Sequence, residues 1–227
     1  MIRVKICGIM NQRDANICIK YGANALGFVV EYPVSVPWNI SVARAKELID
    51  TVTPFVSTCI VTGGPYEKIL DIAMQTRPNY IQLHYNETLD DVMHIARELK
   101  KVGIKTIKAL RIDKTGACAF EISDPQEAIK ELEETDISAI LLDSYTEYMP
   151  GGTGIMINQK HLQEIMKMTK KPLILAGGIK PGNVYNIITH VQPYAIDVLS
   201  GVEDMPGYKS EEKVIRLMKG LSGFTIQ

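Results

Sequence analysis

Apolar residues fall along this chain in two alternating rhythms. Short runs rich in Val, Ile and Leu, apolar on both faces, are each followed by a longer stretch whose apolar positions recur three and four residues apart, the period of a helix. The first run is Arg3–Cys7, followed by a helix over Gln12–Tyr21. Ala25–Val30 is the second strand, and after a Pro-containing loop Ser41 supplies the N-cap for a helix over Ala43–Val52. The cycle continues with strand Phe55–Val61 and helix Tyr66–Gln75, strand Tyr80–His84 and helix Leu89–Lys101, then strand Lys105–Leu110 and a helix near Pro125–Glu134. Ile137–Asp143 with Gln159–Met168, Pro172–Ala176 with Gly182–His190, and Ala195–Val198 with Glu211–Lys219 complete the series.

Strands apolar on both faces and separated by helices belong to a parallel sheet covered by those helices. Eight such units favour closure into a (β/α)8 TIM barrel, an α/β fold that occupies residues 1–227 as a single domain. An open doubly wound sheet would usually stop at five or six strands and carry GxGxxG after its first strand, where this chain reads Cys7-Gly8-Ile9-Met10. Two loops exceed a minimal connection: Glu31–Ile40 after the second strand, and Ser144–Asn158 after the sixth, which contains Gly151-Gly152-Thr153-Gly154. Barrels of this kind carry chemistry on the loops after strands, so both are candidate substrate-covering segments, simple flexibility being the alternative for the glycine-rich one.

Composition narrows the function classes. With 46% hydrophobic and 22% charged residues the chain can bury a large core without disulfides or metal. A net charge of −1 and a pI near 6.4 give no bulk electrostatic reason for a nucleic-acid or membrane surface. Cys7, Cys18, Cys59 and Cys118 form no CxxC and no zinc-ligand spacing, and no signal-like segment opens the chain. The expectation is a cytoplasmic protein with free thiols, without metal, organic cofactor, nucleic-acid or membrane partner, and either monomeric or homodimeric.

Strand ends of a barrel converge on one mouth, which brings Cys7, His84, Asp143, Gly177 and Ser200 into question together. A thiol at the mouth can be tuned into a base, although a cysteine ending a strand is often a small buried hydrophobe. Asp143 directly follows a buried apolar run, a costly place for a carboxylate unless it reaches the mouth or a partner. It is the acid candidate by position, with capping of loop backbone as the alternative. His84 ends the fourth strand, where hydrogen bonding to a neighbouring loop is the other use. His94, His161 and His190 fall on helix surfaces. Gly177-Gly178 after the seventh strand and Ser200-Gly201 after the eighth stand where such barrels hold phosphate on bare backbone N–H groups.

These residues, in this order, resemble the phosphoribosylanthranilate isomerase family. The matching stretches include Val4-Lys5-Ile6-Cys7-Gly8-Ile9, Ile81-Gln82-Leu83-His84, Leu142-Asp143, Gly151-Gly152-Thr153-Gly154, Leu175-Ala176-Gly177-Gly178, and Asp197-Val198 with Ser200-Gly201-Val202-Glu203. The resemblance implies an Amadori rearrangement of N-(5-phosphoribosyl)anthranilate in tryptophan biosynthesis, with Asp143 as general acid on the ribose ring oxygen and Cys7 as general base at C2. It further implies substrate or phosphate contacts from Gly152, Gly177, Gly178, Asp197, Ser200, Gly201 and His84. Where the family carries an arginine facing the anthranilate carboxylate this chain has Trp38, within Ser35–Ser41. Arg44 and Arg13 are the candidates to supply that charge, and Trp38 to stack on the ring. Tyr85, Ile155 and Leu199 stand where the family usually has glycine, lysine and serine. The alternative function is a paralogous barrel that acts on, or only binds, another phosphorylated sugar or sugar amine.

Overall fold

The computed structural model describes residues 2–113, 115–144, 165 and 167–222. Eight parallel strands close on themselves: β1 (Arg3–Ile6), β2 (Ala25–Val30), β4 (Ser57–Thr62), β5 (Tyr80–Leu83), β6 (Lys105–Ile112), β7 (Ala139–Ser144), β8 (Leu173–Leu175) and β9 (Ala195–Val198). Going round the barrel the order is β1-β9-β8-β7-β6-β5-β4-β2, and pairing of Lys5 with Ala25 and of Ile6 with Leu26 joins β2 back to β1. The short strand β3 (Asn39–Ile40) lies parallel beside the end of β2. Among the described residues seven of the eight strands feed a helix that returns over the outside, the connection that parallel pairing demands. The described helices are α1 (Gln12–Lys20), α2 (Val42–Ile49), α3 (Tyr66–Thr76), α4 (Leu89–Lys101), α5 (Pro125–Glu133), α6 (Val184–His190) and α7 (Glu211–Lys219).

Helix starts follow local chemistry. The Asn11, Ser41 and Asp124 side chains accept from backbone N–H groups of α1, α2 and α5, and Thr88 with Asp91 forms a reciprocal capping box on α4. The apolar stripes of the helices, such as Val92, Ile95, Ala96 and Leu99 of α4, pack on the outward side chains of the strands. A second cluster, including Cys59, Ile107, Ala109, Ala139, Leu141 and Ile174, comes from strands alone and fills the barrel's inside below the mouth.

Several boundaries differ from the sequence expectation. Phe55 is outside β4: its backbone is left-handed at φ +72° and its ring is fully exposed, so the pleat begins only at Ser57. β6 runs on to Ile112, which bridges antiparallel to Cys118. The helix expected over Gln159–Met168 falls mostly outside the described residues, although Ile165 is helical and Met168 already stands in a turn. A small antiparallel hairpin, β10 (Glu203–Met205) and β11 (Tyr208–Lys209), follows the last barrel strand and docks beside α1.

Candidate active site

At the C-terminal end of the barrel a cleft of about 660 Å³ opens to solvent. Cys7, Trp38, His84, Asp143, Gly177, Gly178, Asp197, Ser200 and Gly201 all line it, so nine of the ten site residues expected from the sequence converge. Gly152, with the rest of its glycine-rich loop and Ile155, lies outside the described residues.

The two loops after β8 and β9 form one wall. Gly177 and Gly178 both have left-handed backbone, at φ +86° and +64°, a turn that β-carbons would strain. Asn183 clasps this loop, its Oδ1 accepting from Lys180 N–H at 2.8 Å and its Nδ2 donating to the Gly178 carbonyl at 2.8 Å. Gly201 is packed so tightly against it that a Cβ would stand 1.9 Å from the Ile179 carbonyl oxygen. The result is a cup of backbone with few side chains in it, suited to an anion.

Cys7 and Asp143 flank this cup. They sit just past β1 and on β7, with β9 and β8 between them. Cys7 is buried, its N–H bonded to the Val198 carbonyl at 2.9 Å. Burial pushes its thiol above the ordinary range, with a further push from Asp197, against the pull of the Lys5 and Lys209 ammoniums. Cys18, Cys59 and Cys118 are buried free thiols outside the cleft. Asp143 Oδ2 is 3.4 Å from His84 Nε2. The Gln82 amide nitrogen lies 3.0 Å from His84 Nδ1; donating there, it leaves the ring proton on Nε2, facing the carboxylate. Oδ1 of Asp143 and Oδ1 of Asp197 are both buried with no hydrogen-bond partner among the described residues, and both residues line the cleft. Two desolvated acceptors facing one cavity are what a polyhydroxylated ligand satisfies.

The opposite wall is apolar. Val29, Tyr32, Val61 and Trp38 cluster with Cys7, and the Tyr32 hydroxyl donates to the His84 carbonyl at 2.7 Å. Trp38 is buried, and its indole N–H points away from the cleft to Glu203, 2.9 and 3.1 Å from the two carboxylate oxygens. Lys209 closes that carboxylate from the other side at 2.8 Å. Neither Arg44 nor Arg13 lines the cleft: Arg44 bonds Glu47 and the Met10 carbonyl, and Arg13 bonds Asp14. Both lie on helices and use their charge there, Arg44 on the exposed Glu47 and Arg13 on the buried Asp14. Arg111, buried and in register with Asp143 on the neighbouring strand, bonds Asn86 and is not among the residues that line the cleft.

Sequence reasoning passed over Lys5, Gln82, Tyr32, Arg111 and Glu203. For Lys5 and Arg111 a signal existed, since a cation inside an apolar strand must find a partner. Glu203 stood in a stretch that matches the family, but nothing there pointed to Trp38, 165 positions away.

The sequence profile described as N-(5'phosphoribosyl)anthranilate (PRA) isomerase matches residues 4–220. The chain belongs to this isomerase family. Among its relatives, the N-(5'-phosphoribosyl)anthranilate isomerase of Geotalea uraniireducens is 37% identical over 98% of this chain and 100% of the relative. That of Methanosarcina acetivorans is 33% identical over 96% and 92%. The crystal structure of phosphoribosyl anthranilate isomerase from Thermotoga maritima superposes with a TM-score of 0.83 at 34% identity, covering 99% of this chain and 100% of that one. A second family structure, in complex with reduced 1-(o-carboxyphenylamino)-1-deoxyribulose 5-phosphate, gives a TM-score of 0.77 at 32% identity, covering 99% and 100%. Among the described residues no helix is long and apolar enough to cross a membrane, and no cluster of His, Cys, Asp and Glu fits a metal ion.

Proposed function

We propose that this chain catalyses the family's Amadori rearrangement, converting N-(5-phosphoribosyl)anthranilate to 1-(2-carboxyphenylamino)-1-deoxyribulose 5-phosphate in tryptophan biosynthesis, with Cys7 as base and Asp143 as acid. The observation that carries the reading is the placement of these two groups on either side of a backbone cup for the phosphate. With the anion held by the Gly177-Gly178 and Ser200-Gly201 loops, the ribose spans the gap between β1 and β7. Protonated Asp143 gives its proton to the ring oxygen as the C1–O bond breaks, which leaves an open-chain iminium. The Cys7 thiolate then takes the proton from C2, and the C–H electron pair forms the C1–C2 double bond while the iminium pair returns to nitrogen. The resulting enolamine tautomerises to the ketone, so atoms and electrons balance without an external oxidant or reductant. The unpartnered Asp197 oxygen accepts from a sugar hydroxyl, and His84 orients Asp143.

The aryl ring then extends toward the apolar wall, where Trp38 offers its face. The free thiols support a reducing cytoplasm as the setting.

Turnover of freshly generated phosphoribosylanthranilate, followed as loss of its fluorescence, tests the reading. Cys7→Ser and Asp143→Asn are each expected to lower kcat by about 10²- to 10⁴-fold; full activity in either variant overturns the assignment of that residue. Trp38 in the arginine's place favours a second reading, a sugar amine without the carboxylate. The aniline analogue turning over at least as well as the anthranilate compound would select it.

A further inference from the structure

Beneath the mouth Asp197 is paired with a buried cation, Lys5, that has no part in the reaction scheme. Lys5 and Asp197 are Cα partners on β1 and β9, and Lys5 Nζ lies 2.7 Å from Asp197 Oδ2 with both side chains almost completely buried. Strand alternation places Lys5 and Cys7 on the same inward face. Gly27 on β2 shows how close their ends come: a Cβ there would stand 2.7 Å from Cys7 Sγ and 2.9 Å from Lys5 Nζ. The missing side chain at position 27 is the space that the thiol and the ammonium share. An ammonium has three protons to donate, and Asp197 Oδ2 takes one of them.

We propose that Lys5 is a positioning residue for proton abstraction, anchored by Asp197 and holding the Cys7 sulfur in place while balancing the negative charge it acquires as thiolate. The inference rests on the reading of Cys7 as the base. A buried Lys–Asp pair stabilises a fold no better than well-packed apolar side chains do, so it is an expensive filling for a barrel. It is, however, a specific way to stabilise a neighbouring anion in a desolvated site. The titratable groups around Cys7 are Lys5 on its own strand, Asp197 on β9, Cys59 on β4 and Lys209 on β11. Of the two cations, the Lys5 ammonium pulls harder on the thiol. Lys5 itself stays protonated: burial works against its charge, but Asp197, Cys7 and Cys59 outweigh that and raise its pKa well above the ordinary lysine range.

The test is a direct titration of Cys7 in the intact protein, read as ultraviolet thiolate absorbance after subtraction of the Cys7→Ser variant. Lys5→Met is expected to move that titration up by about one pH unit or more, a tenfold loss of thiolate at fixed pH below the midpoint. Asp197→Asn is expected to move it down, because a neighbouring anion is removed while the ammonium stays. The double variant Lys5→Met/Asp197→Asn buries no unpaired charge and carries the test if Lys5→Met does not fold. Its titration is expected above that of the parent, since Lys5 acts more strongly on the thiol than Asp197 does. In turnover, the rising limb of the kcat profile is expected to follow the same shifts. A midpoint unmoved in Lys5→Met and in the double variant, or moved in the same direction by Lys5→Met and Asp197→Asn, overturns the proposal. Failure of the underlying reading shows separately, as turnover that survives in Cys7→Ser.

Discussion

Replacing Gly201 with alanine would wedge the anion cup apart. The added methyl would stand 1.9 Å from the Ile179 carbonyl oxygen, 2.9 Å from its carbon and 3.0 Å from the Lys180 Cα. All three are backbone atoms, so no change of rotamer relieves the clash. Restoring a 3.0 Å contact requires the loops after β8 and β9 to separate by about 1 Å. Gly177 and Gly178 belong to one loop and Ser200 and Gly201 to the other, so the shift opens the cup along the line that an anion bridges. A hydrogen bond to a charged group contributes about 1.5–3 kcal/mol and weakens steeply over such a distance. Loss of one such bond corresponds to a KM raised about 10- to 100-fold. Overpacking of this kind costs about 1–3 kcal/mol of stability. Cys7 and Asp143 lie on other strands, so kcat is expected to fall less than KM rises. Steady-state kinetics, competition by inorganic phosphate and thermal unfolding of Gly201→Ala measure these quantities together. A folded variant whose KM and phosphate inhibition constant stay within about twofold of the parent's would refute the placement of the anion between these loops.

Trp38→Phe removes the N–H that Glu203 accepts and is expected to cost about 1–2 kcal/mol in chemical denaturation. Glu87→Gln leaves the fully buried Lys108, 2.6 Å from that carboxylate, without its counter-charge. A loss of about 3–5 kcal/mol is expected, most of it recovered in Glu87→Gln/Lys108→Met, and the urea midpoints of the two variants check the order. Burial pushes the thiols of Cys18, Cys59 and Cys118 up to about 12 from 9.0. An acid with a raised folded pKa keeps its contribution below the unfolded pKa and loses it as pH rises toward the folded value. Stability is therefore expected to fall between about pH 9 and 12 by up to about 1.4 kcal/mol per pH unit for each thiol, and Cys18→Ala should flatten that slope in urea titrations.

Periodicity made the barrel legible. The apolar runs Ile137–Leu142 and Ala195–Val198 leave no polar stripe, and Ser41 announced the start of α2; Asn11, Thr88 and Asp124 cap α1, α4 and α5 without having been read as caps. The mouth was legible for the same reason, because strand ends in a closed parallel sheet share one side. Phe55 misled because apolar character alone does not reveal a left-handed backbone. The hairpin Glu203–Lys209 is too short for a periodic signal. The contacts least visible beforehand are those between residues far apart in the chain. Trp38 read as a ring that could stack on the substrate, and the structure leaves it the ring alone, because its N–H is committed to Glu203. Lys5 and Asp197 are separated by 192 positions, and only closure of β1 against β9 makes them neighbours.

The anchoring of Trp38 by Glu203 makes the apolar wall depend on a hairpin that follows the eighth barrel strand. A nascent chain that has emerged only as far as β9 already holds every strand of the cylinder, yet its indole has nothing to hang from. Docking of β10 and β11 is thus what completes the apolar wall. Because Trp38 is the sole tryptophan, its emission reports on that docking in refolding without any label.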